Sequence, residues 1–375
     1  MAGSFIRRFT KWFFVSFNIL ICIIFLLSCL SPFVSPGQWA PIGFLSLAAP
    51  YLAILLIFSI LFWLVAKPVI ALVPIFTLLI GWKQLEVVFA WHPMHKFSIE
   101  TKNDSIVRII NWNVRGLYGI SNNPYKQLRN RDDIFASINK LNADIICLHE
   151  FNNVTYAANP RANNFDMFKD NCPYYFFSKD FTNSNGSYLA GSIIFSRYPI
   201  IDSGKIKFSG PESESLLYID ILKGEDTVRI YTAHLQSFEF KGNDYADIEK
   251  IKNQDEEAIQ ASKNIYSKMK LAFTRRTAQA DIVKSELDKC PYPSIIAGDF
   301  NDVPNSYTYF HIKGQRQDAF LKTAFGIGRS YNSLAPTLRI DYILPDEHFN
   351  IHQFDMIDEG LSDHSMLVSD ISLKK

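Results

Sequence analysis

Pro293-Ser294-Ile295-Ile296-Ala297-Gly298-Asp299-Phe300-Asn301 decides how the rest of this chain reads. Its first five residues form a short apolar, β-branched run, the pattern of a buried strand. Gly298 lets another backbone or a ligand come close. Side chains alternate along a strand, so Asp299 and Asn301 offer a carboxylate and an amide to one pocket while Phe300 turns into the core. Alone the motif is short, and an Asx cap on the next turn is the plainer alternative. Its weight comes from polar residues that close other apolar runs in order: Asn113, Glu150, His234, Asp341 and Asp363-His364.

Residues 106–110 read as a first strand running into Asn111-Trp112-Asn113-Val114-Arg115-Gly116. Residues 124–141 have helical periodicity, with Leu128, Ile134, Phe135, Ile138 and Leu141 on one face. Residues 144–148 form the next strand and end at His149-Glu150. Such a βαβ unit brings Asn113 and Glu150 together at the carboxyl ends of two strands, where open α/β sheets place their sites. Further strands are expected at 174–177, 191–195, 216–222, 228–234, 294–298, 339–344 and 364–371, with a charged helical stretch over 245–287. Strand runs with interspersed helices imply two packed sheets with helices outside.

Glu150, Asp299, Asn113 and Asp363 carry hard oxygen donors of the kind Mg²⁺ or Mn²⁺ prefers. No histidine has zinc-site spacing and there is no H-E-x-x-H. A histidine that works as acid or base needs a partner on its other ring nitrogen. For His364 the candidate is Asp341, in Arg339-Ile340-Asp341-Tyr342-Ile343.

The net charge of +1 over 375 residues hides an asymmetry. Residues 1–92 hold Arg7, Arg8, Lys11, Lys67 and Lys83 against Glu86 alone. Taking these from totals of 38 basic and 37 acidic residues leaves 33 and 36, a balance of −3 over 93–375. A domain gripping long nucleic acid through its phosphates would be basic, so tight duplex binding is disfavoured. No Asp, Glu, Lys or Arg occurs from Trp12 to Ala66, and about 20 helical residues cross a bilayer. The stretch Ser31–Gly37 breaks this run, so membrane spans are expected near 12–33 and 41–65, with a third over 68–88. A signal peptide is the alternative, but no small-x-small cleavage site stands out. The positive-inside rule keeps the N-terminus and Lys67 cytoplasmic, and three spans then leave everything after His92 outside. If the third segment only lies on the surface, the domain is cytoplasmic. Cys147 reads as a small buried hydrophobe, and a Cys172–Cys290 disulfide stays open.

Seven ordered motifs carry a resemblance. Asn111–Arg115, His149-Glu150, Gly191–Ile200, Thr232-Ala233-His234-Leu235, Gly298–Asn301, Arg339–Ile343 and Ser362-Asp363-His364 resemble those of the endonuclease/exonuclease/phosphatase superfamily, the DNase I-like fold. The resemblance covers about 105–372 and implies a four-layer α/β sandwich hydrolysing phosphoester bonds with a divalent metal. It assigns Asn113, Glu150 and Asp363 to the metal side, and Asp299 to the attacking water. Asn301 and His364 fall to the phosphate, with Asp341 orienting His364. His234 resembles the second phosphate-contacting histidine and leaving-group acid. Arg197, Arg276 and Tyr188 match further substrate positions less closely. Many relatives have Gln before the metal-binding Glu, where this chain has His149.

These readings together imply a membrane anchor over 1–92, a linker over 93–104 and a catalytic domain over 105–375. The expected activity is a membrane-tethered, Mg²⁺- or Mn²⁺-dependent phosphoesterase, multi-pass in a bacterial inner membrane with its domain periplasmic. Its substrate would be a small, lipid-borne or nucleic-acid phosphoester, chosen by loops at 152–190, 237–262 and 302–335, and no protein partner is expected. The alternative is an inactive member serving as an envelope binding module.

Overall fold

The computed structural model describes residues 2–93, 96–119, 123–154, 163–210 and 214–374. Apolar helices come first: α1 (Ala2–Ser28), α2 (Pro41–Ala66) and α3 (Pro68–Ile80), then a single turn, α4 (Trp82–Leu85). α1 and α2 run antiparallel. The Phe14 and Phe62 rings lie 5.1 Å apart, Ser59 Oγ donates to Asn18 Oδ1 at 2.6 Å, and Ile21, Phe25, Leu52 and Leu56 form one cluster. Lys67 is extended between α2 and α3, as the residue before a proline prefers. α3 then returns towards the end of α1. A Cβ at Gly81 would meet the Phe25 ring at 2.5 Å, and Gln84 Nε2 donates to the Cys29 carbonyl at 3.1 Å. Lys67 therefore lies at the end of the bundle shared with Arg8 and Lys11, and the chain leaves from the opposite end.

The first helix stops at Ser28, short of the expected 33, and hydrogen-bonded turns carry the chain on. The third has 13 residues rather than the 21 of the expected span 68–88, because it ends at Gly81. At 1.5 Å per residue it is about 20 Å long.

The remaining elements are β1 (Ala90–Trp91), β2 (Val107–Asn113), α5 (Pro124–Lys140), β3 (Ile145–Val154), β4 (Tyr174–Phe177), β5 (Phe181–Thr182), β6 (Tyr188–Ser196), β7 (Ile200–Lys207), β8 (Ser215–Lys223), β9 (Asp226–His234), α6 (Gly242–Asn253), α7 (Ala258–Asp288), β10 (Ser294–Asp299), α8 (Tyr307–Lys313), α9 (Ala319–Thr323), β11 (Phe325–Gly326), β12 (Asp341–Pro345), β13 (Phe349–Ile357) and β14 (Met366–Leu373). They build two large sheets, ordered β12-β10-β9-β8-β7 and β13-β14-β2-β3-β6-β4, with β5 also paired to β6. Ile109, Ile145, Cys147 and Ile194 of one sheet meet Leu217, Ile219, Ile230, Ile295 and Ile343 of the other in a dry layer. α5 covers one outer face through Ile134, Phe135 and Ile138, and α7 and α8 cover the other through Ala280, Val283 and Ile312. This is the four-layer α/β sandwich of the DNase I-like fold. The side chain of Leu128, and residues 155–162 of the expected substrate loop, lie outside the described residues.

The described part of the stretch expected as a linker, 93–104, touches the sandwich at several points. Just before it, β1 pairs with β11. Within it, Phe97 packs against the α5-side core and Ser98 N donates to Gln353 Oε1 at 2.9 Å. The pairing of Cys172 with Cys290, open in the sequence, does not form: both are free thiols.

Arg108 is fully buried on β2. Its guanidinium grips both carboxylate oxygens of Asp370 at 2.7 and 2.8 Å and donates to the Leu141 carbonyl at 2.8 Å. Removing one partner strands the other charge in the core, so Arg108→Met is expected to cost about 3–5 kcal/mol. A guanidinium melt of the purified protein, followed by tryptophan fluorescence, reads this loss directly.

Candidate active site

The site grows from two strand registers. β10 pairs in parallel with β9 and antiparallel with β12, which sets His234, Asp299 and Asp341 side by side in one row. That row needs close strands: a Cβ at Gly298 would lie 2.4 Å from the Ala233 carbonyl oxygen. In the other sheet, β2 and β3 pair in parallel with Asn113 opposite His149. A bulge between Leu148 and Phe151, with Glu150 at φ +51°, turns the Glu150 side chain out of the strand's alternation. His364 lies just ahead of β14, bridged to Tyr331, with Ser362 Oγ donating to the Asn113 carbonyl at 2.7 Å.

Asn113 ties the two sheets together. Its Nδ2 donates to Glu150 Oε1 and to Asp299 Oδ2, each at 3.1 Å. Asp299 Oδ1 accepts from the Asn301 backbone at 2.9 Å, and Asn301, at φ +52°, donates its amide to the Leu235 carbonyl at 2.9 Å. Two imidazoles flank Asp299. His364 Nδ1 sits 3.0 Å from Asp341 Oδ2 and 3.6 Å from Asp299 Oδ2. His234 Nδ1 sits 2.7 Å from Glu214 Oε1, and its Nε2 lies 3.6 Å from Asp299 Oδ2. With Nδ1 engaged, each ring has Nε2 to offer a substrate. Asn113, Glu150, His234, Asp299, Asn301 and His364, with Asp363 and Arg115, line a cleft of about 310 Å³.

Electrostatics sharpen the division of labour. Burial would raise the Asp299 pKa, but His364, His234 and the Asn113 hydrogen bond outweigh it and hold the carboxylate below its ordinary value. Burial would lower His234, yet Glu214 pushes it up to about 10. His364 rises to about 9 against its own burial, through Asp341 and Asp299. His149 behaves oppositely: burial and the charge of His234 bring it down to about 3, so it is neutral. Its ring sits 3.0 Å from Asn111 Oδ1 and 3.1 Å from Ser192 Oγ, a structural post behind the strand ends.

Asn113, Glu150, His234, Asp299, Asn301, Asp363 and His364 therefore converge as expected, with Asp341 behind His364. Arg197 does not join them. It sits at the far end of β3, with Nε 3.2 Å from Asp144 Oδ1. Arg276 is fully buried, donates to the Asn301 carbonyl and lies over the Phe238 ring, so it braces the Asn301 loop from behind. Tyr188 stands at the margin beside Tyr118 and Asn152, where burial raises it to about 12. Glu214 escaped the sequence reading: it follows residues of no recognisable pattern, and only the fold sets it beneath His234. Arg115, with Nη1 3.7 Å from Asp363 Oδ2, and Tyr331, its ring tilted against His364 at 4.9 Å, were not singled out either.

The donor chemistry fits a hard cation. Glu150, Asp299 and Asp363 bring three carboxylates to one wall with no thiol, and buried Asp341 Oδ1 has no hydrogen-bond partner. Asp299, Asp341 and His364 also lie within 4.8 Å of one another. The His364 Nδ1–Asp341 Oδ2 hydrogen bond leaves Asp341 Oδ1 unpartnered, so this buried acidic group could also hold a metal.

Residues 110–364 match the model of the Endonuclease/Exonuclease/phosphatase family, and the chain belongs to that family. It is accordingly a phosphoester hydrolase, of a family that generally uses a divalent metal. Residues 10–88 match a separate model, a domain of unknown function. Among solved structures, an endonuclease/exonuclease/phosphatase from Beutenbergia cavernae is 17% identical, covering 72% of each chain at a TM-score of 0.49. The human Nocturnin catalytic domain with bound sulfate is 16% identical, covering 72% of this chain and 94% of its own, at 0.48. A humanized D. rerio TDP2 is 18% identical over 72% and 99%, at 0.47. No curated protein matches the chain.

Glu214 holds His234 without facing the cleft's carboxylates. Glu214→Ala is expected to lower kcat roughly 100-fold, the lower range for a misplaced acid–base group, with little change in KM. Steady-state hydrolysis of bis-p-nitrophenyl phosphate measures both.

Proposed function

We propose that this chain is a membrane-held, divalent-metal phosphoesterase whose site lies on the side of the bilayer opposite Arg8, Lys11 and Lys67. The observation that carries the catalytic part is the meeting of Asp299 with two carboxylate-backed imidazoles over a Glu150–Asn113 pair. Attack on a phosphoester builds negative charge on the non-bridging oxygens, and preorganised cations and donors lower that barrier. His234 and His364, both basic enough to be protonated at neutral pH, would donate from Nε2 to those oxygens. Asp299, kept ionised by the same two rings, would orient a water and take its proton. His234 is placed to return a proton to the leaving group. A divalent cation held by Glu150, Asn113 and Asp363 would add Lewis-acid neutralisation of the phosphate charge.

The membrane part rests on α1 and α2, each long and apolar enough to cross a bilayer, although a signal sequence in α1 would pass the same test. Their outward faces favour lipid: Phe17, Leu20, Ile23, Leu55, Phe58 and Leu61 are all exposed, far more apolar surface than a water-soluble protein leaves open. The positive-inside rule then sets the Lys67 end in the cytoplasm and the catalytic domain outside.

Two outcomes are expected. Chelation with EDTA should abolish hydrolysis of bis-p-nitrophenyl phosphate, and Mg²⁺ or Mn²⁺ should restore it; full activity in EDTA would remove the metal from the account. Asp299→Ala and His364→Ala should each cut kcat by about 10²–10⁴ while leaving the melting temperature nearly unchanged. Near-normal turnover in both purified variants would refute their roles.

A further inference from the structure

The wall of the catalytic cleft includes a residue of the anchor. Leu47, on α2, lines the same cleft as Asp299 and His364. It belongs to a stripe of α2 that packs on the sandwich. A Cβ at Gly43 would strike the Phe273 ring, Phe44 stacks on Tyr266 at 5.1 Å and meets Phe273 edge-on at 5.2 Å, and the Tyr51 hydroxyl sits 3.2 Å from Thr337 Oγ1. Phe273 in turn contacts Phe238, which stacks on Phe240. An unbroken apolar path thus runs from the helix into the cleft.

The height of that wall follows from helix geometry. Residues 48–66 of α2 make about 28 Å of helix at 1.5 Å per residue, close to the roughly 30 Å hydrocarbon thickness. With Lys67 at one surface, Leu47 falls at the other. Leu334, 52% exposed at φ +65°, also lines the cleft, three residues before the Thr337 that meets Tyr51. Among the described residues, Arg115 is the one Lys or Arg lining the cleft, whereas a nucleic-acid groove would carry several.

We infer that the substrate is a phosphoester bearing a long alkyl or acyl chain, drawn from the outer surface of the bilayer, with its chain between Leu47, Phe238, Phe240 and Leu334 and its phosphate over Asp299. This inference rests on the phosphoesterase reading and deepens it. The apolar wall would hold the first carbons of the chain, while the remainder stays among lipids, so the phosphate reaches Asp299 without the molecule leaving the membrane.

Two substrates with the same leaving group separate the possibilities. Full-length protein in nanodiscs is given methyl p-nitrophenyl phosphate or hexadecyl p-nitrophenyl phosphate with Mg²⁺ or Mn²⁺, and kcat/KM is compared at matched accessible concentration. The expected result is a preference of at least about 100-fold for the hexadecyl ester, falling by about tenfold or more in Leu47→Gln and, independently, in the surface variant Leu334→Asp, as loss of a few buried methylenes requires. Equal efficiency for both esters, or a preference unmoved by either variant, overturns the inference and leaves the phosphoesterase reading standing. Hydrolysis of neither ester overturns both.

Discussion

One amide does the joining on which the site depends. Asn113 Nδ2 reaches a carboxylate on its own sheet and another on the facing sheet at equal distance. Over most of their area the two sheets meet through apolar packing, which fixes their separation but carries no directional preference. At the strand ends that packing gives way to polar side chains, and the Asn113 bridge sets how closely Glu150 and Asp299 approach. Two like charges this near are costly unless positive charge surrounds them. His234 and His364 supply it from either side of Asp299, and each is backed by a further carboxylate, Glu214 or Asp341. Glu214, His234, Asp299, His364 and Asp341 thus form an alternating row of acids and bases.

The fold was largely legible because its signals are local. The β-branched runs ending at Asn113, Glu150, His234 and Asp299 declare both strand and strand end, and polar residues at such positions have few structural excuses. The pairing of Asp341 with His364 was legible too, since the place of Asp341 in β12 follows from an apolar run with one acid in it. Arg197 misled for the complementary reason. It lies just past the end of β6, but β6 runs antiparallel to β3, so that end points away from the cleft. Motif content does not reveal strand direction, and direction decides which end of the sheet a residue occupies. Arg276 sits on a helix face turned inward, where periodicity could not distinguish a buried brace from a substrate contact.

Glu214 and Leu47 were invisible for a deeper reason: each acts through partners distant in sequence. Glu214 matters because β8 lies beside β9, which places it below His234. Leu47 is one leucine in a long apolar helix, and nothing in its neighbourhood sets it apart. Only contacts of α2 with Tyr266, Phe273 and Thr337 pick out its face. The 93–104 stretch taught the same lesson. Its polar composition marks a connector but not what it touches, and Phe97 and Ser98 are docked against the sandwich.

Arg339, fully buried, bonds Asp318 Oδ2 at 2.7 Å with one arm and the Val87 carbonyl at 2.8 Å with the other. Val87 lies where the chain leaves the apolar helices, and Arg339 stands two residues before Asp341, which backs His364. A domain mounted through so short and buried a connection cannot pivot on a tether. In the membrane-held arrangement it would sweep one leaflet at fixed height, its encounters set by lateral diffusion and by the surface density of substrate rather than by bulk concentration. The stiffness of that mount, as much as the chemistry above it, would then determine which molecules the enzyme ever meets.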